Sequence, residues 1–250
     1  MEIVIIGTGN TASVLGRKFK EAGHRIVQVF GRNKTAASEL ANVLAAEHTD
    51  RWNKIKEADL YLLAVSDTAI EEVMSKLNLN EKTIVHTAAS VSKDVLKNAR
   101  HYGVFYPLQS LRKEATGLPE IPLLIDASDE KTLHLLKELA NSISEKVKVV
   151  DDEERVKLHL AAVFSNNFVN HLYVMTEKYC VQEGVDFRLL LPLIKETANR
   201  LDVFSPSQAQ TGPAIRCDTE TIHKHLAALK AYPQWKALYT LFTESIQKER

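Results

Sequence analysis

The opening dozen residues constrain this chain more than any other stretch. Met1-Glu-Ile-Val-Ile-Ile6 is a short β-branched run that passes directly into Gly7-Thr-Gly-Asn-Thr-Ala12, and a helical pattern follows through Leu15 and Phe19. A buried parallel strand that turns through glycines two apart into a helix delivers a diphosphate to the helix N-terminus. Gly7 permits the tight turn, Gly9 removes a Cβ that would block the diphosphate, and the small Ala12 lets helix and strand pack closely. Free amides and the helix dipole then favour an anion. The alternative is a bare structural turn, since glycines close many strand-to-helix connections that bind nothing.

The 250 residues suffice for one large domain or two ordinary ones. Lys plus Arg and Asp plus Glu both number 32, so no basic excess points to nucleic acid or an anionic membrane. Apolar stretches such as Leu60–Val65 are far too short to span a bilayer. With a strand at the N-terminus and no basic segment before it, no signal peptide is expected, and the chain reads as soluble and cytoplasmic. Cys180 and Cys217 form neither a CxxC pair nor a disulfide framework.

Gly23 is expected to cap the first helix, and Arg25–Phe30 reads as the second strand. The turn after it selects between nicotinamide cofactors. NAD-type sites usually carry Asp or Glu there for the ribose hydroxyls. This chain instead has Arg32-Asn-Lys34, and the planar fork of Arg32 suits a phosphate, with Asn33 beside it as a further donor. NADP is therefore the expected cofactor, the alternative being a solvated basic turn. Thr35–Ala46 reads as a helix, Leu60–Val65 as a strand, and Asp67 as the cap of a helix Thr68–Leu77. Strands at Thr83–His86, His101–Tyr106, Ile121–Ile125 and Val147–Val150, with a helix Lys131–Ile143, complete an α/β pattern. Such alternation predicts a doubly wound, mostly parallel sheet with ligands across the carboxyl ends of its strands. The loops at Gly7, Arg32, Ser66, His86 and Tyr106 should then be neighbours.

Near residue 150 the pattern becomes wholly helical, so a dinucleotide-binding domain (1–150) is expected before a smaller all-α domain (151–250). A long helix opens at the acidic residues 151–154 and extends to about Gln182. A second covers Phe187–Leu201, bent or interrupted at Pro192. After the loop Phe204–Pro213, helices span Thr219–Ala231 and Gln234 to the end. On the first of these helices His159, Asn166 and Asn170 fall on one line at about 100° per residue, with Asn167 to one side. Either the stripe bonds neighbouring backbone, or it faces a cleft where His159 donates a proton. In Thr211–Asp218 the Gly-Pro turn presents Arg216 as a clamp for a carboxylate or phosphate, and Asp218 caps the next helix. His223 and His225 lie about 200° apart around a helix and cannot share a metal, so no metal site is expected.

Over essentially its whole length the chain resembles the 6-phosphogluconate dehydrogenase-like superfamily. Its first half is similar to pyrroline-carboxylate reductase, prephenate dehydrogenase and deazaflavin-dependent NADP reductases. The particular match is to bacterial Rossmann-like NADP oxidoreductase candidates with a helical C-terminal domain of unknown function. Gly7–Ala12, Ala64–Ile70, His86–Ser90, Tyr106–Ser110, His159–Phe168 and Thr211–Arg216 through Leu226 carry it. The resemblance implies that Gly7, Gly9, Asn10, Thr11 and Ala12 line the pyrophosphate and that Arg32 and Asn33 take the adenosine phosphate. It places Ser66, His86 and Thr87 near the nicotinamide ribose, and Tyr106 and Pro107 near substrate. Hydroxyacid dehydrogenases of this superfamily use a Lys on the long helix, where this chain offers His159 and asparagines. Cys217 stands where a glycine is expected before Asp218. A homodimer built through the helical domains is also implied.

Two functions follow. One is an NADP(H)-dependent oxidoreductase moving hydride to or from a small carbonyl or imine compound between the two domains, with His159, Asn166 and Asn170 as catalytic candidates. The other is a non-catalytic NADP(H)-binding sensor.

Overall fold

The computed structural model describes residues 1–77, 81–115 and 117–249. They form two compact units, Met1–Leu172 and Tyr173–Arg250. The first is built on a sheet of β1 (Glu2–Ile6), β2 (Arg25–Phe30), β3 (Glu47–Thr49), β4 (Leu60–Leu63), β5 (Thr83–His86), β6 (His101–Pro107), β7 (Leu123–Ala127) and β8 (Val147–Val149). Their spatial order is β3-β2-β1-β4-β5-β6-β7-β8. The β6–β7 pair is antiparallel, while the other neighbours run parallel. This is the doubly wound sheet that the alternation predicts.

Beyond Glu2, β1 and β4 carry apolar and aromatic residues, as both faces are covered. Ile3 and Ile5 of β1, with Leu60 and Leu62 of β4, point into one apolar layer. Val4 and Ile6, with Tyr61 and Leu63, point into the other. The first layer is completed by α1 (Asn10–Glu21) through Leu15 and Phe19, and by α2 (Lys34–Leu44) through Leu40 and Leu44. The second is closed by α3 (Ile70–Lys76) through Ile70 and Val73. Helix α4 (Glu130–Asn141) adds Leu136 and Leu139 to the first.

Gly7 is where β1 becomes a turn. Its φ of +124° lies in the region L side chains avoid, and a Cβ there would collide with the carbonyl oxygen of Ala64 at the end of β4. The missing side chain therefore lets the turn pass against the chain leaving β4 and start α1 at the carboxyl edge of the sheet.

A long helix then runs as α5 (Asp152–Ala162), a π-helical segment (Val163–Phe168) and α6 (Val169–Glu183). Asp151 caps α5 by accepting from the Glu154 amide at 2.8 Å. The second unit holds the rest: α7 (Leu191–Asn199), α8 (Pro206–Ala209), α9 (Thr219–Ala228) and α10 (Pro233–Lys248). Within it Tyr179 packs on Trp235 with ring centroids 5.4 Å apart, and Tyr232 donates to Glu183 at 2.5 Å.

Two expectations are corrected. The polar, exposed Glu47–His48 pair hides β3, which the sequence reading leaves out; it is an edge strand that needs no apolar run. Asp67 does not cap a helix: it opens a single 3-10 turn (Asp67–Ala69), and α3 starts only at Ile70. The run expected over Phe187–Leu201 is interrupted beside Pro192 as anticipated: a 3-10 segment (Phe187–Leu190) precedes α7, and Pro192 sits in the first turn of α7, where its missing N–H costs no bond. The expected C-terminal helix is present to Lys248, and Arg250 lies outside the described residues. Among the described residues no helix is long and apolar enough to cross a membrane.

Candidate functional site

At the carboxyl edge of β1, β2 and β4 lies a cavity of about 340 Å³ whose wall includes Gly7, Thr8, Gly9, Arg32, Asn33, Trp52, Ser66 and Glu72. Gly9 is the N-cap of α1 and makes no side-chain cap. A Cβ on Gly9 would meet nothing within 4 Å, so the backbone there borders open space. The amides of Asn10, Thr11 and Ala12 are the first N–H groups of α1, and helix geometry leaves them without an intrahelical acceptor. No acidic side chain stands in that first turn to occupy them.

Arg32 is exposed and forms no ion pair among the described residues, which leaves its planar fork unspent at the cavity wall. Asn33 caps α2 by accepting from the Ala36 amide at 3.1 Å, so its oxygen is committed and its NH2 is the free end. Trp52 stacks on Phe30 with centroids 3.8 Å apart and forms the far wall. Composition offered no hint of Trp52 or Glu72, because their segments carry no motif.

A second cavity, of about 590 Å³, opens beside the end of β6 and is lined by Tyr106, Ser110, Leu111, His159, Ser165, Asn166 and Asn167 among others. The Tyr106 hydroxyl lies 3.0 Å from His159 Nδ1, and the two rings meet edge to face. Burial pushes the Tyr106 hydroxyl above its ordinary pKa, Arg155 opposing and Asp67 reinforcing the shift. The phenol thus keeps its proton at neutral pH, and the contact through Nδ1 leaves His159 Nε2 as the ring nitrogen for other partners.

What fixes His159 is the helix turn before it. Arg155 is 1% exposed, an unusual place for a guanidinium. Its Nε donates to the Ala89 carbonyl at 2.9 Å, and Nη2 donates to the Val91 carbonyl and to Asp152 Oδ1, both at 2.6 Å. Nη1 is buried without a partner among the described residues. These bonds bolt α5 to the loop after β5 and set the register in which His159, one turn on, reaches Tyr106. Sequence reasoning missed Arg155; the one available signal was a cation in an otherwise acidic opening turn.

The polar stripe does not survive as a straight line. The π-helical segment carries more residues per turn than an α-helix. Asn166 lines the second cavity together with Ser165 and Asn167, whereas Asn170 does not. His86 also departs from expectation. Its side chain is fully buried, with Nδ1 accepting from the Ala88 amide at 3.2 Å and Nε2 3.4 Å from the Ser92 carbonyl. The ring holds the loop after β5 and offers no nitrogen to a ligand. Thr87 is tied to the Leu63 carbonyl through its amide at 3.1 Å and its hydroxyl at 3.3 Å. Pro107 is buried at the end of β6 and lines neither cavity. Arg216 is exposed in the second unit, where Asp218 caps α9 by accepting from the Thr221 amide at 3.1 Å. Cys217 has φ +53°, the backbone state that favours the expected glycine.

Burial, helped by the Arg155 charge, lowers the His86 pKa from 6.5 to about 4. Between those values the unfolded chain takes up a proton on His86 that the folded chain refuses, so stability falls as the pH falls. Lowering the pH from 6.5 to 4 should remove up to about 3 kcal/mol through this group. Thermal melts across that range should be steeper for the unaltered chain than for His86→Asn; parallel profiles would show that His86 does not titrate so.

Two family profiles match the chain: "NADP oxidoreductase coenzyme F420-dependent" over residues 2–90, and "Domain of unknown function (DUF2520)" over residues 121–246. A candidate NADP oxidoreductase from Bacteroides fragilis is 38% identical, with a TM-score of 0.90 over 99% of this chain and 98% of that one. A 1-pyrroline-5-carboxylate reductase from Streptococcus pyogenes shares the fold at a TM-score of 0.68 and 17% identity, over 99% of this chain and 98% of its own. Glycerol-3-phosphate dehydrogenase [NAD(P)+] from Staphylococcus aureus is 27% identical over 115 residues, 38% of this chain. That match spans only about a third (34%) of the curated relative. The end-to-end likeness to the Bacteroides protein and the two matched profiles agree: the chain belongs to the family that joins an F420-dependent-type NADP oxidoreductase domain to DUF2520.

Proposed function

We propose that the chain is an NADP(H)-dependent oxidoreductase acting on a small carbonyl or imine compound held at the Tyr106–His159 cavity. The residues present fit a dinucleotide. Gly9 borders open space where a Cβ would stand, and α1 presents unpaired amides there. Gly7, Gly9, Asn10, Thr11 and Ala12 would hold the pyrophosphate, Arg32 and the Asn33 amide the adenosine phosphate, and Ser66 the ribose side. When bound, the nicotinamide supplies or accepts hydride.

The Tyr106–His159 contact of 3.0 Å carries the catalytic part of this reading. With the phenol donating to Nδ1, the imidazole carries its proton on Nε2. As the Nε2 proton passes to the oxygen or nitrogen that gains electrons, Nδ1 takes the Tyr106 proton, so the ring stays neutral and the phenolate left behind is reprotonated from solvent. Ser165, Asn166 and Asn167 line the same cavity and orient polar substituents of the substrate. Arg216 remains a candidate anion clamp of the second unit, and residues 151–250 serve substrate binding and dimerisation.

A homodimer through the helical unit is part of the proposal. In that unit the buried residues among those described are Cys180, Ala214 and Ile222, while Leu189 and Val203 are 76% and 77% exposed. So many uncovered aliphatic side chains fit a surface completed by a second copy. Light scattering should give the mass of two chains; a monomer at micromolar concentration would remove the dimer from the proposal.

The enzymatic test is NADPH oxidation with a panel of keto acids, imines and a deazaflavin. Turnover of one class is expected, and His159→Ala should slow it roughly 100-fold or more while leaving NADPH affinity near normal. Unchanged turnover in that variant would exclude His159 as the proton donor. Arg32→Glu should weaken NADPH binding by about tenfold or more and NADH binding little. Equal weakening would take Arg32 away from the adenosine phosphate.

A further inference from the structure

The dinucleotide reading leaves a charge imbalance. The turn from Gly7 to Ser13 has no charged side chain, and the residues lining its cavity include one cation, Arg32, and one carboxylate, Glu72. If Arg32 serves the adenosine phosphate, the pyrophosphate is met by amides alone. The structure brings one further charge to that turn from an unexpected direction.

After β6 the chain runs through Leu108–Ala115, and Lys113 in this strap is sewn to the first helix by both of its main-chain polar groups. Its amide donates to Asn10 Oδ1 at 3.2 Å, and its carbonyl accepts from Arg17 Nη2 at 3.4 Å. Residues 10 and 17 are seven apart on α1, so they lie on one face two turns apart. Arg17 gives this contact although its Nε is then buried with no partner among the described residues. The Lys113 side chain is exposed and has no carboxylate partner among the described residues. Its long flexible stem starts beside Asn10, the first residue of α1, and can carry the ammonium over the unpaired amides there. The same strap contributes Ser110 and Leu111 to the Tyr106–His159 cavity.

We propose that Lys113 is the pyrophosphate-binding cation of this protein, delivered by the strap after β6 and seated by Asn10 and Arg17. The strap thereby runs from the Tyr106–His159 cavity, which Ser110 and Leu111 line, to the start of α1, where Lys113 is held by Asn10. Asn10 acts here as a positioning residue whose oxygen holds the strap, and its amide N–H remains for the phosphate. This inference rests on the dinucleotide reading and adds a residue to it.

The test is a fluorescence titration of NADPH and of NADH into the full-length chain and its Lys113→Met and Lys113→Arg variants. The tethers are main-chain bonds, so neither substitution should alter the melting temperature. Lys113→Met should weaken both nucleotides by the same factor, roughly tenfold, and Lys113→Arg should recover most of it. Loss of NADPH affinity alone would move Lys113 to the adenosine phosphate and overturn the assignment. Unchanged affinity for both nucleotides would overturn it too, with the dinucleotide site left standing. If the unaltered chain binds neither nucleotide, the dinucleotide reading falls and this inference with it.

Discussion

The close approach of the Gly7 turn to the Ala64 carbonyl is the constraint on which the rest of the first unit depends. β1 lies at the centre of the sheet, and its last residue before the turn is followed by a backbone that passes against the Ala64 carbonyl of β4. Only a residue without Cβ, at a φ open to glycine, can make that passage. The direction of α1 follows from it, and so does the display of free amides at the carboxyl edge. Arg32 and Ser66 reach the same cavity because β2 and β4 flank β1 and end level with it. The site is a consequence of strand order as much as of any motif.

A second constraint acts on the helix that follows the sheet. The Asp151 cap fixes where α5 begins, and Arg155 fixes how it is rotated by binding the carbonyls of Ala89 and Val91. Burying a guanidinium is costly unless its donors are used. Here two of its nitrogens are used, and the reward is the placement of His159 at Tyr106. His86 belongs to the same arrangement: it holds the loop that Arg155 grips, and it stays neutral because burial and the Arg155 charge both oppose protonation. The π-helical segment carries three successive polar residues, Ser165, Asn166 and Asn167, that line one cavity.

Much of this was legible in the residues. The β-branched runs and the glycine turn predicted the sheet, its parallel core and the first helix, because buried parallel strands admit little besides apolar side chains. Gly7, Gly9, Arg32, Asn33 and Ser66 could be gathered into one site from strand order alone. Tyr106 and His159, 53 residues apart, were each singled out, but their contact was not visible without the fold. What escaped were features with no periodic signature. β3 is a short polar edge strand, Arg155 is a buried cation in an acidic turn, and Lys113 owes its place to backbone bonds from Asn10 and Arg17. The line through His159, Asn166 and Asn170 assumed an unbroken α-helix, and the π segment redirected its lower part. His86 looked like a ligand contact because it ends a strand at the binding edge; its ring turned inward instead.

Everything proposed for the chemistry presumes that the bare amides after Gly7 receive a dinucleotide. Isothermal calorimetry of the full-length chain with NADPH measures this directly. Heat that saturates at one nucleotide per chain is expected. Absence of heat with NADPH, at protein concentrations where the chain is folded, would contradict it.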